Sequence, residues 1–112
     1  MTRRLERVNE TLRRELAELI AEAATGELPM MAVDRVETAP DLKSAEIFVS
    51  LVTNHERNDE MIKFLESKRF EFQHRIASKG NLKFTPVLDF RIAHFDANLE
   101  QVESLIREIN ES

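Results

Sequence analysis

Met31-Ala-Val-Asp-Arg-Val-Glu-Thr-Ala-Pro-Asp-Leu-Lys-Ser-Ala-Glu-Ile-Phe-Val-Ser-Leu-Val-Thr53 is the stretch that decides how this chain folds. In its second half Ala45, Ile47, Val49 and Leu51 alternate with Glu46, Phe48, Ser50 and Val52. A period of two over that length is a strand with one buried face, here Ser44 to Thr53. Met31 to Thr38 reads as a second strand. Val33 and Val36 differ in parity within it, which predicts a bulge or a change of phase. Ala39-Pro40-Asp41 between them is a turn. Two strands this close in sequence pair most simply as an antiparallel hairpin, with a loop longer than the minimum.

Helical signals flank the hairpin. Leu5, Val8, Leu12, Leu16, Leu19, Ile20 and Ala23 recur at spacings of three and four, so a helix is expected from about Arg3 to Ala24. Thr2 is its candidate N-cap, and Gly26 with Pro29 gives the stop. After the hairpin, Asn54 to Asp59 is polar, and Asn58 or Asp59 is the candidate cap of a second helix ending near Lys68. Met61, Phe64 and Leu65 should point inward from it. A third helix is expected from Phe70 to Ser78, with Phe72, Ile76 and Ala77 inward, ended by Gly80-Asn81. Leu82 to Phe95 then alternates, with Leu82, Phe84, Leu88, Phe90 and Ile92 on one face. Pro86 has no amide hydrogen and should sit at an edge or bulge. Leu99, Val102, Leu105, Ile106 and Ile109 describe a last amphipathic helix. The expected order is α-β-β-α-α-β-α, a two-layer α+β fold with a three-stranded sheet packed on helices.

The 112 residues suit one domain, residues 1–112. Hydrophobic residues make up 42% and charged residues 33%, an ordinary globular mix. There is no cysteine, which excludes disulfides and thiolate metal sites. No apolar run approaches the ~18 residues of a membrane span, and the basic N-terminus lacks the apolar block of a secretory signal. A cytoplasmic location is therefore expected; the chain is also expected to be a monomer. The net charge of −5 is unevenly spread. Residues 1–25 are neutral, 26–62 carry −5, 63–91 carry +4 and 96–112 carry −4. One cationic stretch thus lies between two acidic ones, a distribution that can focus a polyanion site on one face.

Chemistry is scarce. Gly26 and Gly80 belong to no phosphate-cradling glycine motif. His55, His74 and His94 lack the close spacing of a metal site. Asp41 and Glu46 could be imagined as a carboxylate pair, but turn chemistry accounts for Asp41 better. No serine has an assignable base. No enzyme activity, cofactor, metal or small-molecule substrate is expected.

Four segments together resemble the ribosome-binding factor A family. They are Arg3-Arg4-Leu5-Glu6-Arg7-Val8, the Val33 to Ser50 hairpin, Leu82-Lys83-Phe84-Thr85-Pro86-Val87-Leu88-Asp89-Phe90, and the terminal helix. The family pattern V-x-x-V-x-x-S-P-D-L-x-x-A-x-V-x-V-S is matched with Ala39 for serine and Ile47 for a valine. The pattern L-R-x-x-P-x-L-x-F is matched with Lys83 for arginine. The resemblance implies a type II KH-like domain that binds the small (30S) ribosomal subunit or its precursor during 16S rRNA maturation, with a role in growth at low temperature. The family's Ala-x-Gly kink between the second and third helices falls on Lys68-Arg69-Phe70, or on Ser67-Lys68-Arg69 with a one-residue gap. Neither contains glycine.

Charge is the candidate substitute. Lys68 and Arg69 at the helix junction, Arg75 and Lys79 on the third helix, and Lys83 beyond it are the candidate RNA-binding residues, since phosphate contacts need only positive charge and reach. Arg3, Arg4 and Arg7 form a second patch. Phe70 is a candidate for stacking on a base, although a phenylalanine in this helix is more often core. The alternative is a KH-like protein-interaction domain that has lost RNA binding, using its acidic C-terminal helix or an open strand edge.

Overall fold

The computed structural model describes residues 2–24, 26 and 30–93. Its elements are α1 (Thr2–Ala23), β1 (Met31–Thr38), β2 (Ser44–Leu51), a 3-10 turn (His55–Arg57), α2 (Asn58–Ser67), α3 (Arg69–Lys79) and β3 (Val87–Ile92). The architecture is α+β, as expected, and its order to β3 is compatible with the type II KH-like arrangement. The last helix expected, and His94, lie outside the described residues.

β1 and β2 form the antiparallel hairpin, running from Met31 opposite Leu51 to Thr38 opposite Ala45. The change of phase falls between Val33 and Arg35, where Asp34 has no partner in the ladder. It lets Val33 and Val36 both face inward, opposite Val49 and Ile47. β3 pairs with the other edge of β2 in parallel, Ser44 opposite Val87 and Val49 opposite Ile92. β2 is therefore central, and Ala45, Ile47, Val49 and Leu51 along it are at most 1% exposed.

The helices cover one face of the sheet. Leu12, Leu16, Leu19 and Ile20 of α1, Met61 and Leu65 of α2, and Phe72 and Ile76 of α3 are buried against the strands. The Phe72 ring meets Phe90 edge-on, with centroids 6.4 Å apart. Ala77 is exposed, not inward. It lies one residue past Ile76, about 100° round the helix, and so off the narrow stripe that α3 buries. Asn58 is the first residue of α2 and not its cap, because the 3-10 turn before it supplies the entry and Arg57 holds the cap position.

β1 and β3 are edge strands, so half of their N–H groups point away from β2. Each edge meets a side-chain amide from a helix. The Thr38 N–H donates to Asn9 Oδ1 of α1 at 2.9 Å, and the Leu88 N–H donates to Gln73 Oε1 of α3 at 3.0 Å. These bonds fix the helices to the sheet as well as satisfying its edges.

The break between α2 and α3 is the single residue Lys68, at φ −100° and ψ 0°. Its N–H donates to the Leu65 carbonyl and its carbonyl accepts the Phe72 N–H. This is the bridge region, which residue i+2 of a type I turn also adopts; with φ negative, the turn needs no glycine. At the far end, Gly80 takes a left-handed conformation (φ 71°) that closes α3.

The strand expected from Leu82 is shorter than the alternation suggested. Residues 82–84 are bends, and the ladder starts only where the Val87 N–H reaches the Lys43 carbonyl at 2.9 Å. Pro86 cannot donate to a ladder and sits immediately before the strand. Phe84, expected on the buried face, is consequently 62% exposed.

Two stability measurements check this account. Gln73→Met keeps length but removes the acceptor for Leu88, and should lower urea-denaturation stability by about 1–2 kcal/mol. Lys68→Gly should also destabilise, by roughly 0.5–1 kcal/mol, since glycine adds only unfolded-state freedom there; a gain would mean that the junction is strained.

Candidate nucleic-acid interface

The sheet face away from the helices holds its charges in cross-strand rows. Glu37, Glu46 and Asp89 are partners across the three strands, and beside them lie Arg35, Phe48 and Arg91. Arg35 stacks on the Phe48 ring at 3.9 Å and pairs with Asp34 at 3.2 Å and Glu37 at 3.6 Å. Arg91 pairs with Asp89 at 2.9 Å and Glu46 at 3.5 Å. The Asp89 hydrogen bond, then the charges of Asp89 and Glu46, hold the Arg91 guanidinium above even its ordinary range. With two arginines against this acidic row, the face offers little to a polyanion.

The cations singled out on α3 meet α1 instead. The two helices run antiparallel, and three contacts step along the seam. Arg75 pairs with Glu22 at 3.1 Å, Lys79 pairs with Glu18 at 3.4 Å, and Asn81 Nδ2 donates to Glu15 Oε1 at 2.7 Å. The two ion pairs are well exposed, so water screens them and they hold little energy. Glu15 differs: it is only 2% exposed, so its bond fixes the chain just after α3 to the middle of α1.

Lys68 and Lys83 stand at opposite ends of this seam. Lys68 lies 6.0 Å from the Phe64 ring, and Arg69 beside it is half-buried. Ser67 donates its hydroxyl to the Phe64 carbonyl at 2.6 Å. Phe70 projects outward at 80% exposure, so the core expectation for it fails. It occupies the side of α3 turned away from Phe72 and Ile76.

Lys83 joins the N-terminal patch. Arg4, Arg7, Val8 and Thr11 share one side of the first turns of α1, and with Lys83 and Phe84 they line one cavity. Leu42 from the β1–β2 turn, Asn81, Leu82 and the buried Pro86 complete its wall. Among the described residues Arg4, Arg7 and Lys83 have no carboxylate partner, whereas Arg13, Arg57, Arg75, Lys79 and Arg91 do. Arg3 is also exposed on α1. The structure therefore groups these candidate cations differently from the sequence. Lys83 belongs with Arg4 and Arg7, not with Arg75 and Lys79. Phe84 and Leu42 were missed as members of any site. Pro86 was the available signal for Phe84, because it bars Lys83 to Thr85 from an interior strand.

What this arrangement can do is bind, holding anions on exposed cations beside apolar and aromatic surface. The family model described as ribosome-binding factor A matches residues 4–106. The ribosome-binding factor A of Thermomicrobium roseum is 32% identical over 106 residues, covering 94% of this chain and 82% of that protein. That of Opitutus terrae is 28% identical, covering 98% and 90%. The crystal structure of ribosome-binding factor A from Thermus thermophilus shares the fold at a TM-score of 0.68, with 19% identity over 79% of this chain and 94% of that one. A Thermus thermophilus homology model fitted into a cryo-EM map of a 30S complex gives 0.63, at 20% identity over 75% and 89%. By the family match over nearly its whole length, and by relatives that align with more than nine-tenths of it, this chain belongs to the ribosome-binding factor A family.

Proposed function

We propose that this chain binds the small ribosomal subunit or its precursor and assists maturation of 16S rRNA, as a monomeric cytoplasmic domain spanning residues 1–112 with no catalysis of its own and a greater contribution to growth in the cold. Family membership carries the reading, and the neighbour fitted into a 30S complex supports it. The distribution of cations agrees. Arg4, Arg7 and Lys83 converge without carboxylate partners among the described residues, while on the second sheet face Arg35 and Arg91 are held among Asp34, Glu37, Glu46 and Asp89. Lys68, Arg69 and Arg3 extend the candidate contacts. Arg75 and Lys79 add to them when phosphates displace their exposed glutamates, an exchange that costs little.

The second reading, a protein-interaction domain without RNA binding, draws on the net charge of −5 and the acidic row of the sheet. Absence of a glycine at the helix junction no longer favours it, because Lys68 adopts an ordinary backbone conformation there.

Co-sedimentation with purified small subunits at rising salt separates the two. The protein should pellet at low salt, and Arg4→Glu, Arg7→Glu and Lys83→Glu together should weaken binding about tenfold or more and flatten the salt dependence. A partner protein retained from RNase-treated lysate, without subunit binding, would replace this reading with the second. Glu18→Gln with Glu22→Gln should strengthen subunit binding by releasing Arg75 and Lys79. It should steepen the slope of log K against log salt by up to about two and change stability by less than about 1 kcal/mol.

A further inference from the structure

The cavity between α1, the β1–β2 turn and the loop before β3 has a volume of about 170 Å³. That is below the roughly 300–1,000 Å³ of a drug-sized ligand site and suits one ring system. It is built by three segments far apart in sequence, each tied in place. Asn81 anchors the loop to the buried Glu15. The Val87 N–H to Lys43 carbonyl bond joins the end of that loop to the turn. The turn itself is closed by the Leu42 N–H on the Ala39 carbonyl and the Lys43 N–H on Asp41 Oδ1.

Leu42 within that turn has φ 63°. This is the left-handed region, which a branched side chain rarely adopts and which persists only where the surroundings impose it. The result puts an apolar side chain in the wall of the cavity that Arg4 and Arg7 also line. Phe84 is exposed, and the Lys83 ammonium lies 5.7 Å from its ring centroid. A ring face and a cation at that spacing are within reach of the base and the phosphate of one nucleotide.

We propose that this cavity receives a single unstacked base of a single-stranded RNA segment, the base against Phe84 and Leu42 and its flanking phosphates on Arg4, Arg7 and Lys83. Base stacking tolerates sequence because every base has a π-face, whereas the cations supply salt-dependent affinity. The site rests on the RNA-binding reading above and gives it a location: RNA is gripped first where α1 begins, and the cations of α3 extend that contact.

The test is a titration of the ¹⁵N-labelled full chain with each of the four nucleoside 5′-monophosphates, ribose 5-phosphate, inorganic phosphate and a short oligoglutamate. At least one mononucleotide should shift the amides of Leu42, Lys83, Phe84 and Val87 more than ribose 5-phosphate does. Phe84→Leu should weaken that binding about fivefold or more while leaving the remaining amide spectrum folded. Leu42→Gly, which the turn accommodates without strain, should weaken it too. Equal shifts from ribose 5-phosphate or inorganic phosphate would reduce the cavity to an anion site and overturn the proposal. Shifts from oligoglutamate alone, or an unchanged affinity in Phe84→Leu, would also overturn it. Small-subunit pelleting of the same samples keeps the two readings apart. Pelleting without mononucleotide shifts rejects the cavity proposal and leaves ribosome binding intact; mononucleotide shifts without pelleting support the cavity and reject the ribosomal reading.

Discussion

Parallel pairing between β2 and β3 is the constraint from which the rest of the structure follows. Parallel neighbours cannot be joined by a tight turn, so the chain must leave at the Leu51 end of β2 and cross back to the opposite end, beside Ser44, before β3 can begin. Here α2 and α3 make that crossover, with the helix broken at Lys68 between them. The crossover helices lie on the side of the sheet that α1 also covers, and a core forms there from Leu12, Leu16, Ile47, Leu65, Phe72, Ile76 and Leu88. The same return delivers residues 80–86 beside the β1–β2 turn and the start of α1. The candidate site is thus a product of the connection and not of any one element.

Electrostatics in this chain is governed by pairing more than by net charge. The total of −5 argues against RNA. The sheet face agrees with that sum, because Arg35 and Arg91 are held among Asp34, Glu37, Glu46 and Asp89. On α1 the balance changes along the helix. Glu18 and Glu22 occupy the half that faces Arg75 and Lys79, leaving Arg4 and Arg7 to meet Lys83 at the other end. A phosphate approaching the molecule feels these local fields within about a Debye length, roughly 8–10 Å at physiological salt. The distribution therefore decides where an anion docks, and the sum does not.

Side-chain amides hold the same layout together. Asn9 and Gln73 each give an edge strand the acceptor that a neighbouring strand would otherwise supply, and they do so from different helices. Each bond also sets the position of its helix along the sheet. Asn9 lies on the half of α1 that carries Arg4 and Arg7, so the placement of the cavity wall depends on it.

What the sequence determined by itself is the set of features carried by local periodicity. The span of α1 is there in its apolar stripe, and the hairpin in the alternation of Ala45 to Leu51. The bulge near Asp34 is there in the parity of Val33 and Val36, and the end of α3 in Gly80. Each of these is fixed by neighbours within a few residues, where backbone sterics and burial of one face suffice. Tertiary structure decided everything that depends on which surface arrives opposite. The parallel register of β3 and the engagement of Arg75 and Lys79 by α1 have no counterpart in spacing. The same holds for the meeting of Arg4, Arg7, Leu42 and Lys83. Those side chains come from segments separated by about forty residues, and only the return of the crossover to the edge of β2 brings them around one cavity.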